Sequence, residues 1–274
     1  GGPGDSAAVV DLGNADTPAP TSGCPAATGS GTAKLDQWLD GTDVAKVAVS
    51  GSDCARSYQL STTAQLRDGL PANPRTVVEQ PGSPRVRTLN PLFDALYALA
   101  LEEAKQDSVD AIQDAAFNQG QPIACPPGGC FETGRLWRYV WTRDVAYASH
   151  LALALMDPQR ARNSLEFKLS ARRSGGDTQV VQDTGSGGSY PISTDRVVWA
   201  LGARALLNTL SGAARTSFRD KAFDALRNTV EHDRQVVFDP DTGLYRGEQS
   251  FLDWREQSYP GWTATDVVHL GMSQ

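Results

Sequence analysis

The sequence predicts an all-α protein, with antiparallel helical hairpins arranged as an α/α toroid. Three observations predict it. Roughly five long segments carry apolar residues at helical spacing, cap-and-proline pairs restart a helix where the last one ends, and the aromatic, acidic and glycine-rich stretches all fall in connections at one polarity of the hairpins.

Residues 1–33 are rich in Gly, Ala, Pro, Ser and Thr, which predicts a flexible, low-complexity N-terminus of the kind left when a targeting segment is absent. Residues 34–89 read as a mixed region, with a short helix over 35–39 and strand pieces over 46–49 and 76–79. From residue 90 the pattern turns helical. Asn90 caps, Pro91 suits the first helical position, and Leu92, Phe93, Leu96, Leu99 and Ala100 recur on one face, which predicts a helix running to 117. A loop follows over 118–131.

Thr142 is the expected cap of a helix over 144–156, and Asp157-Pro158 restarts the chain into a return arm ending at 172, with Ala161, Leu165 and Leu169 at intervals of four. Ser193-Thr-Asp195 opens a helix to Leu210 whose apolar residues fall on nearly every side, as in a buried helix. Ser217-Phe-Arg-Asp220 reads as a capping box leading to a stripe of Ala222, Ala225, Leu226 and Val230. Two extended pieces over 236–245 flank an Asp239-Pro-Asp-Thr-Gly243 turn.

Composition narrows the function. The 274 residues carry 25 basic and 32 acidic side chains, a net −7, which disfavours nucleic acid as a partner and fits a neutral ligand. The apolar run from Val145 to Met156 is broken by Ser149 and His150 and is shorter than the roughly 20 residues a membrane span needs. No metal or cofactor is expected: Cys125-x4-Cys130 has no neighbouring His. The four cysteines permit three pairings, of which Cys24–Cys54 and Cys125–Cys130 are expected because the Pro126-Pro-Gly-Gly129 turn brings the second pair together. Disulfides imply an oxidising location, secreted or periplasmic.

Two segments carry chemistry. Trp137-Arg-Tyr-Val-Trp-Thr-Arg-Asp144 joins three rings to two guanidiniums and a carboxylate. A pyranose offers a flat C–H face that stacks on Trp137 or Trp141, and a rim of hydroxyls that the Arg143–Asp144 pair can grip through charge-assisted hydrogen bonds. Asp144 at a helix start also has a purely structural role, stabilising the dipole.

The second segment, Phe251-Leu-Asp-Trp-Arg-Glu256, sets Asp253 and Glu256 three positions apart. On one helical turn they would raise each other's proton affinity, with Trp254 and Tyr259 removing water and Arg255 holding one acid ionised. A carboxyl kept protonated near neutral pH can donate to a glycosidic oxygen. The Gly-rich stretch 182–191 lacks the Gly-Lys-Ser/Thr ending of a phosphate loop and reads as a substrate loop with Tyr190 as a contact.

Over residues 90–274 the chain resembles the six-hairpin glycosidases, the (α/α)6-barrel enzymes that include glucoamylases and trehalases. Tyr139-Val-Trp-Thr-Arg-Asp144 is very similar to the Tyr-x-Trp-Thr-Arg-Asp motif of glucoamylases, which implies that Arg143 and Asp144 hold the terminal sugar. Asp253-Trp-Arg-Glu256 resembles the glucoamylase segment Asp-Leu-Trp-Glu, which implies Glu256 as general acid and Asp253 as its neighbour. Trehalase-like members carry Glu-Ser-Gly-x-Asp instead, which would make Asp253 the acid and Glu248 a supporting group. Here Glu248-Gln-Ser-Phe-Leu-Asp253 is one residue longer and has no Gly, and both assignments stand.

The resemblance implies an exo-acting, inverting glycoside hydrolase that removes a terminal sugar from an oligo- or polysaccharide. It further implies that 90–274 are the N-terminal half of the barrel. The remaining helices and the catalytic base would then lie in the same polypeptide beyond these residues or in a second chain. Two alternatives accompany it: a non-catalytic carbohydrate-binding protein, and a phosphorylase or polysaccharide lyase on the same toroid. A phosphorylase would need Arg135, Arg138 and Arg196 to converge on an anion.

Overall fold

The computed structural model describes residues 37–65, 72–115, 118–171, 176–181, 195–247 and 268–269. The chain divides into two compact units, Gly1–Glu102 and Glu103–Gln274.

The first unit overturns the all-α expectation. Strands β1 (Gln37–Asp40), β2 (Asp43–Ser52), β3 (Ala55–Thr62) and β4 (Arg75–Val78) form an antiparallel sheet in sequence order. β2 and β3 pair over eight residues, from Ala45 opposite Thr62 to Ser52 opposite Ala55. The pairing sets Val47 opposite Leu60 and Val49 opposite Tyr58, with Tyr58 opposite Val77 on the other side. Because side chains alternate along strands, these five share one face, and α1 (Pro91–Gln106) packs Leu92, Ala95, Ala98 and Leu99 against it.

The expected strand at 46–49 falls within β2 and that at 76–79 overlaps β4, which ends at Val78, whereas the 35–39 helix is replaced by β1 from Gln37. β3 carries little strand signal in its sequence, because Tyr58 and Leu60 are the only large apolar residues on its buried face. A toroid is contradicted because an antiparallel sheet, paired by backbone hydrogen bonds, supplies the partner surface for α1.

Asn90 does cap α1: its side-chain oxygen accepts from the Phe93 amide at 3.1 Å. The helix nevertheless ends at Gln106, where the chain enters short strands β5 (Ser108–Val109), β6 (Ala111–Ile112), β7 (Ile123–Ala124) and β8 (Cys130–Phe131). Cys125 and Cys130 form the expected disulfide with Cα atoms 5.8 Å apart. Asn163 donates to the Gly129 carbonyl at 2.8 Å and to that of Pro127 at 3.2 Å, which holds the disulfide turn in place. Cys24 lies outside the described residues.

In the second unit α2 (Thr142–Ala148), a π turn (Ser149–Leu153) and α3 (Ala154–Met156) follow one another directly, and α4 (Pro158–Phe167) returns. Asp157 caps α4 as expected, accepting from the Arg160 amide at 2.9 Å, but α4 ends at Phe167 and not at 172. The chain then forms the hairpin β9 (Leu169–Ser170) and β10 (Gln179–Val180). Helices α5 (Asp195–Thr209) and α6 (Gly212–Val237) come next. α6 begins five residues before the expected capping box, after Ser211, and buries Phe218, Ala222, Ala225, Thr229, Asp233 and Val237 on one stripe. The extended pieces after it appear as β11 (Phe238–Asp239) and β12 (Leu244–Gly247) around the expected turn.

The core of this unit centres on Trp199, fully buried, whose indole N–H donates to the Leu165 carbonyl at 3.1 Å. Phe131, Val140, Val145, Leu165, Val180, Leu206 and Phe218 belong to the same buried cluster. Burying an indole and the aliphatic chains around it contributes about 2 kcal/mol or more per side chain. Gly202 of α5 lies so near α2 that a Cβ there would stand 3.0 Å from the backbone of Ala146.

Candidate functional site

The aromatic segment is folded back on itself. The Trp137 amide donates to the Gly134 carbonyl at 2.8 Å, the Thr133 amide to the Tyr139 carbonyl at 2.8 Å, and the Trp141 amide to the Thr133 hydroxyl at 3.0 Å. Val140 is buried in the core, so the rings on either side of it take different environments. Tyr139 packs edge-on to Trp141 (centroids 6.0 Å) and to Phe167 (5.6 Å), and the Lys168 ammonium lies 4.7 Å from its ring centre. Trp137, in contrast, is 43% exposed. Of the expected stacking rings among the described residues, Trp137 is the open one, and Trp141 is half-buried.

Arg143 and Asp144 occupy the first turn of α2, Arg143 half-buried and Asp144 exposed. An acid here faces the positive end of the helix dipole. Thr142 is not the cap. Trp141 takes that position with no side-chain cap, and the buried Thr142 hydroxyl donates instead to the Val181 carbonyl at 2.7 Å. A donor needs a partner when no water reaches it, and the end of the β9–β10 hairpin supplies one.

That hairpin end gathers the neighbouring elements. The Val181 amide donates to the Lys168 carbonyl at 2.8 Å, and the Val180 amide to the Thr229 hydroxyl of α6 at 2.9 Å. Arg196, only 5% exposed, donates to the Val180 carbonyl at 2.9 Å, to Gln179 Oε1 at 2.5 Å and to Asp233 Oδ1 at 2.5 Å. His232 Nδ1 stands 3.4 Å from the same carboxylate oxygen. Arg196 is thereby committed inside the protein, while Arg135 and Arg138 are exposed.

Three carboxyls not singled out by sequence are held above the usual range. Burial pushes Asp233 up, against the pull of Arg196 and His232. Burial likewise raises Glu132, with Arg138 opposing and Asp107 assisting, and raises Asp107 with help from Glu103. Glu132 adjoins Thr133, the residue that braces the aromatic segment. Lys168 and Asp233 have no legible signal, because a charged residue that the fold buries looks like any solvated one in the sequence.

Tyr190, Glu248, Asp253, Trp254, Arg255 and Glu256 lie outside the described residues. Among the described residues no group of three or more His, Cys, Asp and Glu could hold a metal, and no helix is long and apolar enough to cross a membrane. The first unit has its own groove of about 660 Å³, lined by Trp38, Leu60, Leu92, Phe93 and Leu96. Among the described residues its lining includes no carboxylate. No family model, curated protein or solved structure matches the chain.

Proposed function

We propose that this chain binds the terminal sugar of an oligo- or polysaccharide and that its acids hydrolyse the glycosidic bond with inversion. The observation that carries the reading is the Trp137–Asp144 segment: an exposed indole followed, at the start of a helix, by an Arg–Asp pair. Indole stacking on a pyranose face is compatible with any neutral sugar, and an arginine beside an aspartate at a helix N-terminus brings donor and acceptor chemistry suited to the hydroxyl rim. Asp253 or Glu256 donates the proton to the leaving oxygen. Inversion then requires a second carboxylate about 6.5–9.5 Å away to activate water.

Hydrolysis is favoured over phosphorolysis because the guanidinium of Arg196 is spent on Asp233, Gln179 and Val180 and does not join Arg135 and Arg138 in an anion pocket. The Cys125–Cys130 disulfide favours an oxidising compartment, secreted or periplasmic.

The test is turnover of an oligosaccharide panel, read by NMR as the anomer first released, for the parent and for Asp253→Asn and Glu256→Gln. One of the two variants is expected to lose about 10²–10⁴ in rate. A parent that binds saccharides without cleaving them would instead identify a sugar-binding protein. Equal turnover in the parent and both variants would remove these acids from the chemistry.

A further inference from the structure

We propose that Arg196 is a positioning residue that fixes the Thr142–Asp144 turn through the backbone of Val180 and Val181. The inference deepens the sugar-holding reading above and rests on it for its functional consequence. α2 begins without a side-chain cap, since Trp141 at the cap position contributes none. Its first turn is therefore placed from outside, by the Thr142 hydroxyl on the Val181 carbonyl at 2.7 Å, and Thr142 is fully buried. Val181 is the residue next to Val180, whose carbonyl Arg196 Nε holds at 2.9 Å. One peptide unit separates the two grips.

The guanidinium is a planar fork whose nitrogens bond in fixed relative directions, which suits it to lock one backbone position of β10, together with a neighbouring side chain of that strand, against α6. Nη2 bonds Gln179 of β10, and Nη1 bonds Asp233 of α6. The other oxygen of Asp233, Oδ2, is buried with no hydrogen-bond partner, so the carboxylate is held through Oδ1 by Arg196, with His232 beside it. Thr229 of α6 receives the Val180 amide and the Lys168 carbonyl receives that of Val181, which leaves this strand end little freedom to drift. An Arg is needed here, because a neutral side chain of similar length cannot bond the Val180 carbonyl, the Gln179 side chain and Asp233 of α6 together.

The test is hydrogen exchange of the full chain, with maltose titration followed by tryptophan fluorescence as a separate arm. Arg196→Gln and Thr142→Val are each expected to speed exchange of the 145–148 amides by about tenfold while the 222–230 amides of α6 keep their parental rates. The double variant should be no faster than Thr142→Val alone, because both changes cut the same tether. Thr142→Ser, which keeps the hydroxyl, should restore parental exchange. Should Arg196→Gln fail to fold, Asp233→Asn replaces it, with a smaller acceleration expected at the same amides.

Unchanged exchange at 145–148, additive effects in the double variant, or equal acceleration across α6 would each overturn the positioning role. The titration answers a different question. Where the parent binds maltose, Thr142→Val should weaken it and Arg196→Gln should weaken it by no more than Thr142→Val does; a parent that binds neither maltose nor any oligosaccharide of the panel refutes the sugar reading and leaves the exchange result to decide the tether.

Discussion

Lys168 holds its ammonium 4.7 Å from the centre of the Tyr139 ring while only 2% of the residue is exposed. A cation on one face and ring edges from Trp141 and Phe167 make Tyr139 a packed support for the segment. The division of labour between a supporting ring and an open one follows, and it can be measured.

Lys168→Met keeps the length of the side chain and removes the charge. Loss of a desolvated cation–π contact is expected to cost about 2 kcal/mol, read as a lower midpoint in urea unfolding. Saccharide affinity should fall little so long as the variant is folded.

Trp137→Ala should show the opposite pattern. The exposed indole contributes little to the core, so stability should change by less than about 0.5 kcal/mol. Loss of one stacking surface should weaken saccharide binding by about tenfold, or roughly 1.4 kcal/mol. Isothermal titration beside thermal unfolding separates the two effects.

Gly202→Val tests how α2 is set against α5. The added Cβ meets the Ala146 backbone at 3.0 Å and Leu165 Cδ2 at 3.1 Å, and backbone cannot swing aside as a side-chain tip can. Overpacking of this kind costs about 1–3 kcal/mol. Since Ala146 is two residues beyond Asp144, saccharide affinity should fall together with stability.

Acid should weaken the first unit through Glu79. Burial alone raises this carboxyl, but hydrogen bonds from Arg87, the Arg56 amide and the Tyr58 hydroxyl outweigh it and hold the group below the usual carboxylate range. A folded pKa below the unfolded one means stability that is present at neutral pH and is lost as pH falls through the folded value. The same contact, with burial as the larger cause, pushes the Tyr58 hydroxyl up to about 12. Hydrogen exchange of the β3 amides should therefore accelerate as pH drops below about 4, after correction for the intrinsic rate. Glu79→Gln should flatten that dependence and lower stability at pH 7.

The helices are largely legible because their signals are local. An Asp-Pro pair caps α4 whatever surrounds it, and Asn90 caps α1 for the same reason. Boundaries set by packing were not legible: α1 stops at Gln106 and α6 starts at Gly212, against local readings of 117 and 217. The sheet was half-read, since β2 and β4 show apolar alternation while β1 and β3 acquire strand character from pairing.

For the site, the sequence by itself determined the chemistry on offer, because rings, guanidinium and carboxylates in Trp137–Asp144 are adjacent along the chain and need no fold to be neighbours. Only the tertiary structure decided which of them is open and which is buttressed. Trp137 is exposed, Tyr139 rests on Lys168, and Thr142 hangs from a hairpin that Arg196 holds, through contacts 16 to 39 residues apart in sequence. Those partners are chosen by burial: a donor or charge removed from water bonds whatever the fold brings within reach, and no local pattern encodes that choice.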